Sequence, residues 1–292
     1  MTTSKELKDA ICEEYLNNPN IRIDEMYTKY NISEGTFIKI RKERNLPMRS
    51  RQIRAPVNRK NLIKFDENYF EIIDCEKKAY WLGFILGDGH ISKNNSFMTI
   101  GLASKDIEHL KLFKLDLNSN HVIKEKTIFD IRTSKSYSSC HIHICRQKTC
   151  NDLINHGITN TKSTDCNLPD IPKELIHHFL RGLSDADGCF TIDGKNLVFA
   201  LACPVEKLLQ EIQLILMETC DLAETKITYQ KSCYTLKYGG NKQTKRIFEY
   251  LYKDSTRCLD RKFNLANNHL NEIECSDNIL YENLHEAKIA LI

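Results

Sequence analysis

Two carboxylates in this chain recur together with their surroundings. Asp88 closes the apolar run Tyr80-Trp81-Leu82-Gly83-Phe84-Ile85-Leu86-Gly87-Asp88-Gly89, and Asp187 closes Leu180-Arg181-Gly182-Leu183-Ser184-Asp185-Ala186-Asp187-Gly188. The acids are 99 residues apart, and each follows an internal glycine, Gly83 or Gly182, by five positions. Two like charges brought close together are unfavourable unless a cation compensates them. A hard divalent ion suits two such oxygen donors. Mg²⁺ characteristically takes one or two carboxylates and keeps waters and phosphate ligands. Mg²⁺ is therefore the expected cofactor, with Mn²⁺ as its substitute.

The elements that bring the acids together are legible in the same stretches. Each run has helical length, and a glycine inside a helix costs about 1 kcal/mol against alanine. Close approach of a second backbone is the usual offset. Gly83 and Gly87 in the first copy, and Gly182 and Ala186 in the second, place small residues four apart on one helix face. The two faces are expected to pack at short range, with Gly89 and Gly188 forming left-handed caps after the last turn. One helix ending in Asp-Gly is unremarkable. Two copies with matched internal glycines, at the interval of a small domain, are not expected from ordinary helix ends.

These stretches resemble the two signature motifs of LAGLIDADG homing endonucleases in their single-chain, two-repeat form. Leu180 to Gly188 is close to the eponymous pattern, while Trp81 to Gly89 departs from it at Leu86, where the pattern often has an acid that is not a metal ligand. The resemblance covers roughly residues 66–270. It implies an α+β fold in which two αββαββα repeats form a DNA-binding saddle around the signature-helix pair. It also implies a metal site at Asp88 and Asp187, with Gly87 and Ala186 beside them. A basic residue near each scissile phosphate carries over to Lys162 and Lys262, which follow their acids by 74 and 75 residues. Lys105 takes the place of a residue that positions the nucleophilic water. Its counterpart 99 residues on is Pro204, which cannot, so the two half-sites are expected to cut at unequal rates. The implied activity is hydrolysis of both strands of duplex DNA by a monomer, across the minor groove, with 3′ overhangs and a long asymmetric site.

The same fold can bind without cutting, as an intron maturase or a transcription regulator. Such proteins often lose one or both acids, so the intact pair favours cleavage. An intein-borne nuclease is disfavoured by the start at Met1-Thr2 and by an end without a terminal His-Asn. A helix-turn-helix regulator with an unrelated ligand domain leaves the matched glycines and acids unexplained.

The remaining sequence supplies DNA-binding candidates. The chain has 292 residues, of which 41% are hydrophobic and 28% charged, which fits a globular protein of two or three domains. It has no membrane-length apolar run and no apolar signal region at its start, so it is expected to be cytoplasmic, without a membrane or an obligate protein partner. Its 12 cysteines include no Cys-x-x-Cys pair and are expected to stay reduced. The net charge is only +3, but residues 37–64 carry ten basic side chains against one acid, Glu43. Such a run reads as a nucleic-acid-binding arm.

Residues 1–46 have the pattern of a helix-turn-helix, with Ser33 as the cap of a basic third helix. Ser33, Glu34, Thr36, Lys39 and Lys42 are its candidate DNA contacts, and Arg49, Arg51 and Arg54 follow in a basic linker, 47–65. Repeat 1 is expected over 66–168 and repeat 2 over 169–270. Residues 271–292, net −4, form an acidic tail with a short amphipathic helix. Within the repeats, alternating strands leave one face free for DNA. Ser92, Thr99, Lys124, Arg132, His141, His143, Thr191, Thr228 and Lys237 are the candidate contacts there. His141 and His143, alternating with isoleucines, read as the outward face of a strand rather than a metal tract.

Overall fold

A computed structural model describes residues 4–19, 21–48, 63–132, 134–161 and 166–289, with the side chains of 130 and 276–289 outside that description. Arg49, Arg51, Arg54, Lys162 and most of the expected linker lie outside the described residues. The chain divides into two compact units, Met1–Leu62 and Ile63–Ile292.

Among its described residues the first unit has three short helices: α1 (Lys5–Asn17), α2 (Ile23–Lys29) and α3 (Glu34–Glu43). Ser33 caps α3 as expected, its Oγ accepting the Thr36 N–H at 3.2 Å. Ser4 does the same for α1 through Leu7 N–H, at 3.3 Å. Ile11, Tyr15, Met26, Phe37, Ile40 and Leu46 form the core. Ile11 and Tyr15 lie four apart on α1, and Phe37 and Ile40 three apart on α3, so these helices bury one stripe and leave the other face wet.

The second unit repeats one plan. The first copy runs α4 (Glu76–Asp88), β1 (Gly89–Ile91), β2 (Met98–Ala103), α5 (Ile107–Asp116), β3 (Lys124–Asp130), β4 (Lys135–Ile144) and α6 (Gln147–Asn155). The second runs α7 (Ile176–Asp187), β5 (Gly188–Asp193), β6 (Asn196–Cys203), α8 (Glu206–Cys220), β7 (Thr228–Gln230), β8 (Cys233–Gly239) and α9 (Asn241–Tyr252). Each copy folds its strands into an antiparallel sheet, in the orders β1-β2-β4-β3 and β5-β6-β8-β7. Alternation sends Met98, Ile100, Cys140, Ile142 and Ile144 to the core, and likewise Leu197, Phe199, Leu201 and Leu236. This is the expected α+β, two-repeat architecture.

A last helix, α10 (Asp260–Ile289), differs from expectation. The acidic tail does not start a new element; it continues the helix that follows α9. The reason is local: no glycine or proline interrupts residues 260–289. Among the described residues, no helix is long and apolar enough to cross a membrane.

Candidate functional site

The signature helices α4 and α7 cross where both lack side chains. A Cβ on Gly83 would lie 1.9 Å from the Phe179 carbonyl oxygen, and a Cβ on Gly182 would lie 1.9 Å from that of Tyr80. No side chain fits either place, so the glycine cost in each helix is offset by backbone contact with the other. The contact continues to the helix ends, where a Cβ on Gly87 would sit 2.3 Å from Ala186 Cβ and 3.0 Å from Asp187 Oδ2. Asp88 and Asp187 are the last residues of the two helices, so their carboxylates emerge at abutting tips. Asp88 is half-buried and Asp187 exposed.

The expected left-handed caps do not form. Gly89 has φ −80° and Gly188 φ −98°, both extended, because each helix runs directly into a strand. Glycine is needed there for room: a Cβ on Gly89 would meet the Ile85 carbonyl oxygen at 2.5 Å, and one on Gly188 the Ser184 oxygen at 2.8 Å.

An acid at a helix C-terminus opposes the helix dipole, and here two such ends meet. The protein already answers this field with a cation at one of them. Lys262, near the start of α10, donates from Nζ to the carbonyl oxygens of Asp185 and Gly188, both at 2.6 Å, and of Ser184 at 3.1 Å and Ala186 at 3.4 Å. Burial draws the Lys262 ammonium below its ordinary value, with Asp185 and Asp88 acting against that. The ammonium thus sits against the end of α7, engaged by backbone rather than pointed into open solvent. Among the described residues, no three His, Cys, Asp or Glu side chains gather into a closed metal cage. A pair of carboxylates at negative helix ends, with carbonyls beside them, fits a hydrated hard cation that completes its shell elsewhere.

Sequence reasoning missed the support behind this site. Asp185, fully buried, accepts hydrogen bonds from Tyr80 Oη at 2.8 Å, Tyr252 Oη at 3.2 Å and the Leu259 N–H at 2.7 Å. Burial pushes its carboxyl up to about 6 against those donors and against Lys262 and Arg181. The Tyr80 hydroxyl also meets His109 Nε2 at 2.9 Å. Arg181, also fully buried, reaches Glu76 at 2.5 Å and the carbonyls of Leu251 and Arg257 at 2.7 and 2.8 Å. Glu76 in turn accepts from the backbone N–H of Thr256 and Arg257. The first copy has Leu82 and Leu86 where the second has Arg181 and Asp185. That replacement of two leucines by charged residues was the available signal.

Cross-strand partners share a sheet face. Thr99 opposes His143 and Lys124 opposes His141 in the first sheet, so these four expected contacts lie together, with Thr99 Oγ1 2.9 Å from His143 Nδ1. In the second sheet, Thr191 opposes Val198, Lys237 opposes Ala200, and Thr228 opposes Thr235, again on one face. Arg132 lies in the turn between β3 and β4 and is exposed. Ser92 does not belong with them. It is 6% exposed, and its Oγ accepts the N–H groups of Ser96 and Phe97 at 2.9 and 3.1 Å, which holds the β1–β2 turn. Lys105 is exposed in the turn before α5 and lines a cavity of about 240 Å³ with Asp106, His109, Leu259 and Arg261. On α3, Glu34 and Lys39 are exposed, as is Lys42, and Thr36 is half-buried.

Residues 174–252 match the family described as a LAGLIDADG-like domain. Among solved structures, the chain is similar to the homing endonuclease I-WcaI bound to its DNA recognition sequence, at 14% identity and a TM-score of 0.51, over 68% of this chain and 91% of that one. It is also similar to the LAGLIDADG meganuclease I-AabMI bound to uncleaved DNA, at 14% identity and a TM-score of 0.42, over 70% of this chain and 91% of that one. The N-terminal LAGLIDADG domain of DUF199/WhiA matches at 15% identity and a TM-score of 0.42, over 64% of this chain and 89% of that one. No curated protein matches the sequence. Repeat 2 contains a LAGLIDADG-like domain, and the second unit has the two-repeat LAGLIDADG fold.

Proposed function

We propose that this chain, whose larger unit is a two-repeat LAGLIDADG fold, is a site-specific endonuclease that hydrolyses both strands of duplex DNA. One observation carries the proposal: Asp88 and Asp187 end two glycine-packed helices whose tips abut at Gly87 and Ala186. The DNA-bound endonuclease structures that share the fold support the choice of partner.

Mg²⁺, or Mn²⁺ in its place, would be held by the two carboxylates beside Gly87 and Ala186, and would lower the pKa of bound water and neutralise charge on phosphoryl oxygens. The chain's own residues do the rest. Asp88 and Asp187 fix the place where each strand reacts. Lys262 holds the end of α7 through its carbonyls and keeps positive charge beside Asp187. Lys162 and Lys105 bring cationic charge to the phosphates from their own positions. The two sheet faces bind the major groove through Thr99, Lys124, His141 and His143 on one side and Thr191, Thr228 and Lys237 on the other. Because those faces differ in sequence, the recognised site is asymmetric. One chain carries both acids, so a monomer suffices, and cutting across the minor groove leaves 3′ overhangs.

The first unit adds a second DNA contact through α3, at Ser33, Glu34, Thr36, Lys39 and Lys42, with Arg49, Arg51 and Arg54 following along the backbone. Its ion pairs support this. Lys8, Arg22, Lys29 and Arg44 are each paired with an acid. Among the described residues Lys39, Arg41 and Lys42 make no ion pair, and Lys39 and Lys42 are exposed. Phosphate contacts of this kind position a protein on the duplex.

The test is to incubate the full chain with host genomic DNA and Mg²⁺ and to sequence every new end. Discrete paired breaks with 3′ overhangs, absent with Asp88→Asn and with Asp187→Asn, are the expected outcome. Tight DNA binding without breaks in Mg²⁺ or Mn²⁺ would overturn the cleavage proposal and leave a non-cutting binder.

A further inference from the structure

The cavity beside Asp187 contains chemistry that the metal site does not use. About 230 Å³ in volume, it is lined by Leu86, Gly87, Leu183 and Asp187 and by two cysteines, Cys166 and Cys203. Cys166 lies in the segment joining the repeats, and Cys203 is the last residue of β6. Both are nearly inaccessible, at 3% and 6%, yet Asp187 on the cavity wall is exposed, so the pair has a route to solvent.

The two thiols touch. A hydrogen bond from Cys166 draws the Cys203 thiol below its ordinary value despite burial, with a smaller contribution from the Val205 N–H, which reaches Cys203 Sγ at 3.4 Å. Burial is the largest influence at Cys140, Cys150, Cys220 and Cys258, and all four are pushed up. The pair is also particular to the second repeat. The residue 99 positions before Cys203 is Ser104, whose buried Oγ has no hydrogen-bond partner among the described residues.

We propose that Cys166 and Cys203 form an oxidisable dithiol, a modification site that small hydroperoxides close to a disulfide. The Cys203 thiolate attacks the peroxide oxygen, the O–O bond breaks, and Cys203 becomes a sulfenic acid as the other oxygen leaves, protonated, as water or alcohol. The Cys166 sulfur then attacks the sulfenyl sulfur. The S–S bond forms, the S–O bond breaks, and hydroxide leaves as water with the Cys166 proton. Two electrons pass from the dithiol to the peroxide, and a thiol reductant reverses the change. The closed disulfide ties the inter-repeat segment, four residues beyond Lys162, to the edge of the cavity at Asp187.

The experiment is a time course of the full chain with hydrogen peroxide, quenched by alkylation, digested without reduction and read by mass spectrometry. A linked Cys166–Cys203 peptide, two hydrogens lighter than its parts, is expected to accumulate and to disappear with dithiothreitol. With Cys166→Ser, the Cys203 sulfenic acid persists and is captured by dimedone. The proposal is overturned if Cys203 remains alkylatable while exposed Cys75 and Cys145 oxidise, or if Cys203 links instead to Cys233, which lies near it. Neither readout requires DNA cleavage, so the result stands apart from the nuclease proposal.

Discussion

Three buried groups, Asp185, His109 and His178, shape the acid response of the molecule. Asp185 titrates at about 6 in the folded protein against an ordinary 3.8, because burial disfavours its charge. A raised acid stabilises the folded state below its unfolded value and loses that contribution as pH rises through about 6. His109 and His178 act in the opposite sense. Burial lowers both to about 4, so their contribution is complete above 6.5 and is lost as pH falls through about 4. Between pH 4 and 6 the two histidines oppose Asp185, and the net effect is that acidification destabilises the fold. Asp185→Asn removes the opposing contribution. Denaturant titrations across that window should show stability falling more steeply than in the parent, by up to about 1.4 kcal/mol per pH unit. An unchanged slope would mean that Asp185 does not take up its proton there. At this scale the sequence was partly legible. Asp88 and Asp187 were identifiable by repetition. The side-chain partners of Asp185, 67 and 105 residues away at Tyr252 and Tyr80, are set by the tertiary fold and leave no local pattern. Lys262 was legible by its interval but not by its environment, since any lysine near a helix end has carbonyls within reach.

The pairing of α4 with α7 was the most legible element. Glycines inside a good helical run signal close approach, and the backbone contacts at Gly83 and Gly182 are of that kind. Gly83→Ala or Gly182→Ala must push the helices apart and should cost about 3 kcal/mol, the upper range for overpacking. Gly101 in β2 provides the control, since a Cβ there meets nothing within 4 Å. Gly101→Ala should leave the melting temperature unchanged or slightly raised, and thermal unfolding of the three variants checks the contrast. The caps at Gly89 and Gly188 were misread for a physical reason. A left-handed residue is the common end of a helix that leads into a loop, whereas these helices lead straight into strands, and glycine is selected there by crowding. Ser92 misled similarly: a polar residue after a strand can serve a turn as readily as a ligand.

At the scale of the whole molecule, the 99-residue interval made the duplication visible and Pro204 opposite Lys105 marked one asymmetry, while a second lies in the hairpins. The β3–β4 hairpin has strands of 7 and 10 residues, against 3 and 7 in β7–β8. Four extra residues in β3 extend the first sheet by about 13 Å, roughly four base-pair rises of duplex. If the chain grips DNA as proposed, the half-site under the first repeat should be longer by about that amount. Footprinting of the bound site, oriented by a cleavage-deficient Asp88→Asn variant, would show it. Equal arms would indicate that the hairpin tip stands clear of the duplex. Turn composition alone did not set hairpin length, because the strands beyond the core are exposed on both faces and lack the alternation that marks a buried one.

The end of α7 is closed by a residue that the ribosome reaches late. Lys262 lies 75 positions after Asp187, and Glu76, at the start of α4, receives backbone hydrogen bonds from Thr256 and Arg257, which are 180 and 181 positions on. At ordinary synthesis rates Lys262 is made about 4–15 s after Asp187. For that interval the nascent chain has both acids but not the ammonium that engages the carbonyls at the end of α7. The end of α7 is therefore left without its cation until α10 has begun to emerge, and premature termination between Asp187 and Lys262 yields a chain with both acids but an uncapped α7.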